Sequence, residues 1–175
     1  DADTGEYRWH YQTTPRDRWD YTATQQIMLA DLPFGEGGAD RRVVMQAPKN
    51  GFFYVLDAAD GELISATPFT KQNWTTGEFD ENGRPVLIQD AVDMALTVVI
   101  PGPTGAHNWH PMAFNPDTGL VYIPVNEIPF FYDKTRNVED SKSWWNIGYD
   151  AAAGWPVEYP AGTLDAVADM DGGSL

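Results

Sequence analysis

The side chains best placed to do chemistry are an aspartate, a lysine and a short run around residue 108. Asp20 closes the stretch Thr14-Pro15-Arg16-Asp17-Arg18-Trp19-Asp20. A carboxylate held beside a divalent cation can take the proton of a hydroxyl group, but in a Pro-containing stretch it can equally do no more than cap a turn. Lys49 stands in Ala47-Pro48-Lys49-Asn50-Gly51, between two β-prone runs. There a lysine is either a solvated hairpin side chain or a cation set where negative charge develops. Asn108 lies in His107-Asn108-Trp109-His110-Pro111 and, taken alone, is a turn residue. The two histidines are spaced as metal ligands can be. Zinc sites, however, use three or four ligands on a rigid element, and here Asn, Trp and Pro crowd the pair in a loop. Structural hydrogen bonding is the expectation for both, and His10, between Trp9 and Tyr11, is expected to pack on a strand.

Strands must position these groups. Aromatic residues make up 13% of the 175-residue chain, and 16 Gly with 13 Pro break up any long helical window. There are no cysteines, which removes thiolate nucleophiles, disulfides and Cys-type zinc sites from this stretch. The formal net charge of −15 repels phosphate backbones and anionic lipid, so no nucleic-acid role is expected. No apolar run approaches the roughly 20 residues that span a bilayer. The longest, Ala95 to Ile100, reads as one buried strand.

One turn recurs. Asp1-Ala2-Asp3-Thr4-Gly5 is followed four residues on by Trp9; Asp57-Ala58-Ala59-Asp60-Gly61 and Asn115-Pro116-Asp117-Thr118-Gly119 repeat the spacing at nearly equal intervals. Between the first and second copies, Val43–Ala47 and Phe52–Leu56 flank Asn50-Gly51, a strong hairpin signal because both residues accept positive φ. Met112–Phe114 and Leu120–Ile123 flank the third copy. Strand pairs at this period predict about three blades of a β-propeller with long irregular loops. Residues 31–42, 71–104 and 133–163 are expected to be those loops, and the acidic tail from Asp165 is poorly patterned.

The Thr4-Gly5-…-Trp9 turn resembles the tryptophan-docking motif of the quinoprotein (PQQ-dependent) alcohol dehydrogenases. Three longer segments resemble the same family in order and in phase: Tyr11-Gln12-Thr13-Thr14-Pro15-Arg16-Asp17-Arg18-Trp19-Asp20-Tyr21, Ala47-Pro48-Lys49-Asn50-Gly51 through Asp57, and Gly105-Ala106-His107-Asn108-Trp109-His110-Pro111. The likeness runs to about Pro129. It implies an all-β, eight-bladed propeller, with residues 1–175 part of that one domain and the remaining blades as its partners. Both ends of the chain read as interior to a longer protein.

The resemblance also implies the chemistry. Asp20 matches the catalytic aspartate, general base and calcium ligand. Lys49 matches the cation that reaches the ortho-quinone oxygens of PQQ, Asn108 a side chain that hydrogen-bonds PQQ, and Trp109 a wall of the same pocket. The substrate would be a primary or small alcohol, oxidised by hydride transfer to the quinone C5, with electrons passed to a cytochrome c or to haem c in a fused domain. Thr22 stands where lanthanide-using relatives carry a further Asp, so calcium is the expected metal. Calcium takes six to eight oxygens, and the family's other ligands, a Glu and an Asn, fall upstream, as do its vicinal cysteines. A periplasmic location is expected from the family. Two alternatives stand beside this reading: a non-catalytic propeller scaffold, which would have no reason to keep Asp20, Lys49 and Asn108 together, and the same chemistry on a polyol, sugar or aldehyde. Three isolated blades would expose sheet edges, so alone the fragment is expected to aggregate or to bind no PQQ.

Overall fold

The computed structural model describes residues 1–34, 38–93 and 98–131. Its centre is a four-stranded antiparallel sheet in the order β1 (Met28–Pro33), β2 (Asp40–Gln46), β3 (Phe52–Asp57), β4 (Leu63–Pro68). This is one complete propeller-type blade, a simple meander joined by hairpins. Around it stand three two-stranded ladders. They pair β5 (Thr75–Phe79) with β6 (Pro85–Leu87), β8 (Ala113–Asn115) with β9 (Leu120–Tyr122), and β7 (Val98–Val99) with β10 (Phe130–Phe131). A four-residue helix, α1 (Gln89–Val92), is the one helix among the described residues, and none there is long and apolar enough to cross a membrane. The chain is all-β, as its turn- and aromatic-rich composition predicts.

β3 explains why this blade forms. Phe52, Tyr54 and Leu56 point to one face and join an aromatic core with Trp19, Tyr21, Trp74 and Val99. Phe53 and Val55, offset by one residue, point to the other face and join Met28, Val43, Met45, Ala47 and Met112. Period-two alternation therefore buries both faces of the strand. Each large side chain so buried contributes about 1.5–3 kcal/mol of transfer free energy.

Two of the segments expected as loops prove to be ordered in part. Residues 31–42 contain the ends of the β1–β2 hairpin, and residues 71–104 contain the β5–β6 hairpin and β7. In the first case the charges that suggest a loop are cross-strand partners. Asp31 pairs in register with Arg42, which grips it at 3.0 Å on the exposed face of an edge strand. The strand expected over Ala95–Ile100 is described only at Val98–Val99, and residues 133–163 and the tail lie outside the described residues.

The repeated turn has one backbone in all three copies. Gly5, Gly61 and Gly119 each donate to the carbonyl four residues earlier at 2.9 Å. Each turn is also capped by the first side chain: Asp1 Oδ1 accepts from Asp3 N and Thr4 N, Asp57 Oδ1 from Ala59 N, and Asn115 Oδ1 from Asp117 N and Thr118 N. Trp9, from the first copy, docks on the second. Its indole donates to Ala58 O at 3.1 Å, and its ring lies so close over Gly61 that a Cβ there would sit 2.8 Å from ring atom Cδ2.

Candidate active site

Asp20 is held out by what is buried on either side of it. Trp19 and Tyr21 are buried in the aromatic core, packing on Trp74 with ring centroids 6.0 and 5.7 Å away. Asp17 Oδ1 accepts from Trp19 N at 3.0 Å, and the Tyr21 hydroxyl donates to Pro101 O. With both neighbours pinned inward, Asp20 projects outward from a left-handed backbone, φ 63°. Aspartate tolerates that region better than most residues, and strained backbone of this kind gathers at functional sites.

Lys49 comes from the tip of the β2–β3 hairpin. Its ammonium donates to Asp20 Oδ2 at 2.9 Å and to Asp20 O at 3.0 Å. The two side chains are unequal, with Lys49 9% exposed and Asp20 64%. A solvated hairpin lysine is thus ruled out in favour of a buried cation whose head meets the carboxylate at the protein surface. Two of its three N–H groups are used on Asp20, and the third is left for another acceptor.

The hairpin is fixed from below by Asn50, which is fully buried. Asn50 Nδ2 donates to Thr13 O and to the Tyr54 hydroxyl, both at 2.9 Å, and Trp74 Nε1 donates to Asn50 O at 3.2 Å. Tyr54 in turn donates to Thr13 O at 3.0 Å. Burial holds its phenol well above the ordinary range, so it stays a donor. This network joins the Thr13–Thr14 segment that leads to Asp20 to the residue after Lys49.

The hairpin is fixed from above by residues 105–107. Ala106 N donates to Lys49 O at 3.0 Å, and the buried His107 ring sets Nδ1 2.6 Å from Ala47 O and Nε2 2.7 Å from His110 O. Gly105, at φ 82°, lies against the lysine stem. A Cβ on it would stand 2.7 Å from Lys49 Cβ and 2.8 Å from His107 O. Asn108 follows directly. Its Nδ2 donates to Thr104 O at 2.8 Å, while Oδ1 is buried with no partner among the described residues. Trp109 leaves 85% of its surface exposed.

Asp20 and Lys49 are thus in direct contact, and Asn108 and Trp109 extend from the segment clamped to Lys49. His107 makes the structural hydrogen bonds expected of it. His10 departs from expectation: it is exposed, on no strand, and its Nδ1 lies 2.6 Å from the Tyr7 hydroxyl. Sequence reasoning passed over Asn50, Trp74 and Gly105 as parts of the site. The turn-prone run Pro103-Thr104-Gly105 is the sequence signal there, and it foretells a turn but no contact with Lys49.

The donor set suits a planar, polyanionic quinone: one buried ammonium with a spare N–H, one buried amide oxygen awaiting a donor, and one bare indole face. For a metal the fit is partial. Asp20 offers one oxygen-donor side chain, and among the described residues no group of three or more His, Cys, Asp or Glu could hold an ion.

Comparison with known proteins points the same way. Residues 1–79 match the PQQ family described as glucose/ethanol/alcohol dehydrogenase, beta-propeller domain. The chain is 50% identical over 145 residues to the quinohemoprotein alcohol dehydrogenase of Comamonas testosteroni, covering 82% of this chain and 19% of that protein. The crystal structure of that enzyme matches with a TM-score of 0.68 over 74% of this chain and 19% of its own. A 1-butanol dehydrogenase (cytochrome c) of Thauera butanivorans is 43% identical over 174 residues, covering 94% of this chain and 25% of that protein. A europium-containing methanol dehydrogenase matches with 38% identity and a TM-score of 0.63, over 71% of this chain and 22% of its own. The chain therefore spans about a fifth to a quarter of the length of these relatives.

Proposed function

Since the chain belongs to the PQQ-dependent alcohol dehydrogenases, a β-propeller family, we propose that it carries the catalytic base and part of the cofactor pocket of an enzyme that oxidises a primary or small alcohol to the aldehyde. The observation that carries this reading is the 2.9 Å contact between a buried Lys49 and a largely exposed Asp20. A structural ion pair gains nothing from burying one partner while leaving the other open, because the buried charge loses its hydration. A site that must offer its carboxylate to substrate and its cation to a bound anion has reason to do so.

PQQ, when bound, supplies the two-electron acceptor for the substrate's hydride, and Lys49, Asn108 and Trp109 would hold it. Calcium, with Asp20 as one of its ligands, would supply a Lewis acid; its remaining oxygens would come from outside the described residues. The chain's own residues do the rest. The Asp20 carboxylate takes the hydroxyl proton of the alcohol. The Lys49 ammonium keeps Asp20 in place through two donors and turns the third toward developing negative charge, at a buried position where such a charge is stabilised most. The indole face of Trp109 offers a flat apolar wall, and the unpaired Asn108 Oδ1 accepts from a ring N–H or bound water.

Thr22, exposed two residues after Asp20, adds no charge, which favours a divalent over a trivalent ion. Residues 1–175 would form part of a single propeller domain in a periplasmic protein. Transfer of the electrons to a cytochrome c or to the protein's own haem is supported by the names of two relatives, a quinohemoprotein and a cytochrome c-linked dehydrogenase.

The test is dye-linked alcohol oxidation by the full-length protein, with and without PQQ and calcium, beside Asp20→Asn. Activity should need both additions and fall about 10²–10⁴-fold in the variant, the usual worth of a positioned base. No turnover of any alcohol, aldehyde or sugar, with no PQQ retained, would instead identify a scaffold.

A further inference from the structure

We propose that His107 is a positioning residue for Lys49, acting through a hydrogen bond from Nδ1 to Ala47 O; the proposal rests on the reading of Lys49 as a cofactor-facing cation. Toward the β2–β3 hairpin, residues 105–107 touch only residues 47–49; elsewhere Ala106 O accepts from Asn126 N at 2.7 Å and His107 O from Gln25 Nε2 at 3.5 Å. Gly105 covers the Lys49 stem, Ala106 N donates to Lys49 O, and the His107 ring reaches Ala47 O, two residues before the lysine. On its far side Nε2 meets His110 O, within the same loop. Of the two ring contacts only the Nδ1 one reaches the other loop, and a neutral ring carries one N–H for two facing carbonyls, so we assign that proton to Nδ1.

The ring has no exposed surface, so it touches neither substrate nor cofactor directly. What it sets is register. Lys49 leaves one side of the clamp toward Asp20, and Asn108 and Trp109 leave the other as the next two residues of the chain. If the clamp loosens, the ammonium and the amide no longer hold a fixed separation, and a rigid ligand that needs both loses affinity.

The side chains of Asn and Gln separate the two ring nitrogens. Asn places an amide N–H near Nδ1, and Gln places one near Nε2. PQQ would be titrated, with calcium present, into the cofactor-free full-length wild type, His107→Asn and His107→Gln, and the thermal midpoint of each cofactor-free protein recorded. His107→Gln should weaken PQQ binding about 10–100-fold, the usual effect of losing a residue that orients a ligand group, while His107→Asn stays close to wild type. Both should lower the midpoint to a similar extent, since each replaces a buried ring.

Equal PQQ affinity in His107→Gln and wild type would overturn the proposal. So would an affinity loss that follows the midpoint across both variants, because that is what a purely structural histidine would give. Wild type that binds no PQQ would bring down the reading of the site together with this proposal. Wild-type binding with an unaffected His107→Gln would bring down this proposal alone.

Discussion

At Asp57–Gly61 and again at Asn115–Gly119 the chain makes the same turn, with the same five-residue hydrogen bond at 2.9 Å and the same side-chain cap. What lies on the two turns differs completely. The second copy carries the Trp9 indole on Gly61, and its Asp57 is gripped by Arg41, whose Nε donates at 2.8 Å and whose Nη2 also reaches Glu62 at 3.1 Å. The third copy lies open. Among the described residues a Cβ on Gly119 would meet nothing within 4 Å, and Leu120 beside it is exposed. A turn motif thus fixes a local backbone, while the residue four positions beyond the preceding copy's glycine decides whether it is docked. Trp9 fills that place before the second turn, but before the third it holds Ser65, which has no ring to dock.

Replacing each glycine with alanine breaks the comparison most sharply. Both positions have positive φ, 80° and 67°, so both variants carry the left-handed cost of about 1–2 kcal/mol. At Gly61 the new methyl also collides with the indole, and forcing atoms into a packed contact adds about 1–3 kcal/mol. Gly61→Ala should therefore lower the urea midpoint of the full-length protein clearly more than Gly119→Ala. Equal losses would show that docking adds nothing at the second turn.

The same contrast marks what could be read from sequence. The turns, the Asn50-Gly51 hairpin and the β-prone run Phe52–Leu56 are local patterns, and they stand where the sequence puts them. β1 and the β5–β6 ladder escaped because the Asp31 and Arg42 charges, and Gly77, Gly83 and Pro85, look like loop chemistry until the pairing partner is known. The site was legible only through resemblance. Nothing local to Lys49 foretells its burial, which comes from Gly105, distant in sequence, lying on its stem. Nothing local to Asp20 foretells its outward turn, which comes from Trp19 and Tyr21 being held by Trp74.

Acid should separate the two turns next. The Asp57 carboxyl sits below the ordinary aspartate range, first because Ala59 N donates to it and then because Arg41 does. A carboxyl lowered on folding contributes stability that is complete above its unfolded value and is lost as pH falls through its folded one. The wild-type midpoint should thus fall more steeply than that of Asp57→Asn as pH drops below about 4, after allowing for their difference at neutral pH. Parallel curves would remove Asp57 from the acid response. Asn115, which holds the same place in the third turn, has no proton to gain.

That asparagine allows the smallest and finest test, Asn115→Asp. The introduced carboxylate would still accept from the amides of Asp117 and Thr118, now 2.9 and 3.4 Å from Asn115 Oδ1. It would have no counterpart of Arg41, since among the described residues no ion pair is made at this turn. At neutral pH the change should stay within about 0.5 kcal/mol, as for other exposed substitutions. The acid response divides the two causes that act together at Asp57. If backbone donation is the larger, the variant gains a shallow acid limb, weaker than the one removed by Asp57→Asn. A limb equally steep would mean that the Arg41 fork adds nothing to the second turn, and no limb at all would mean that the fork, rather than the capping amide, lowers Asp57.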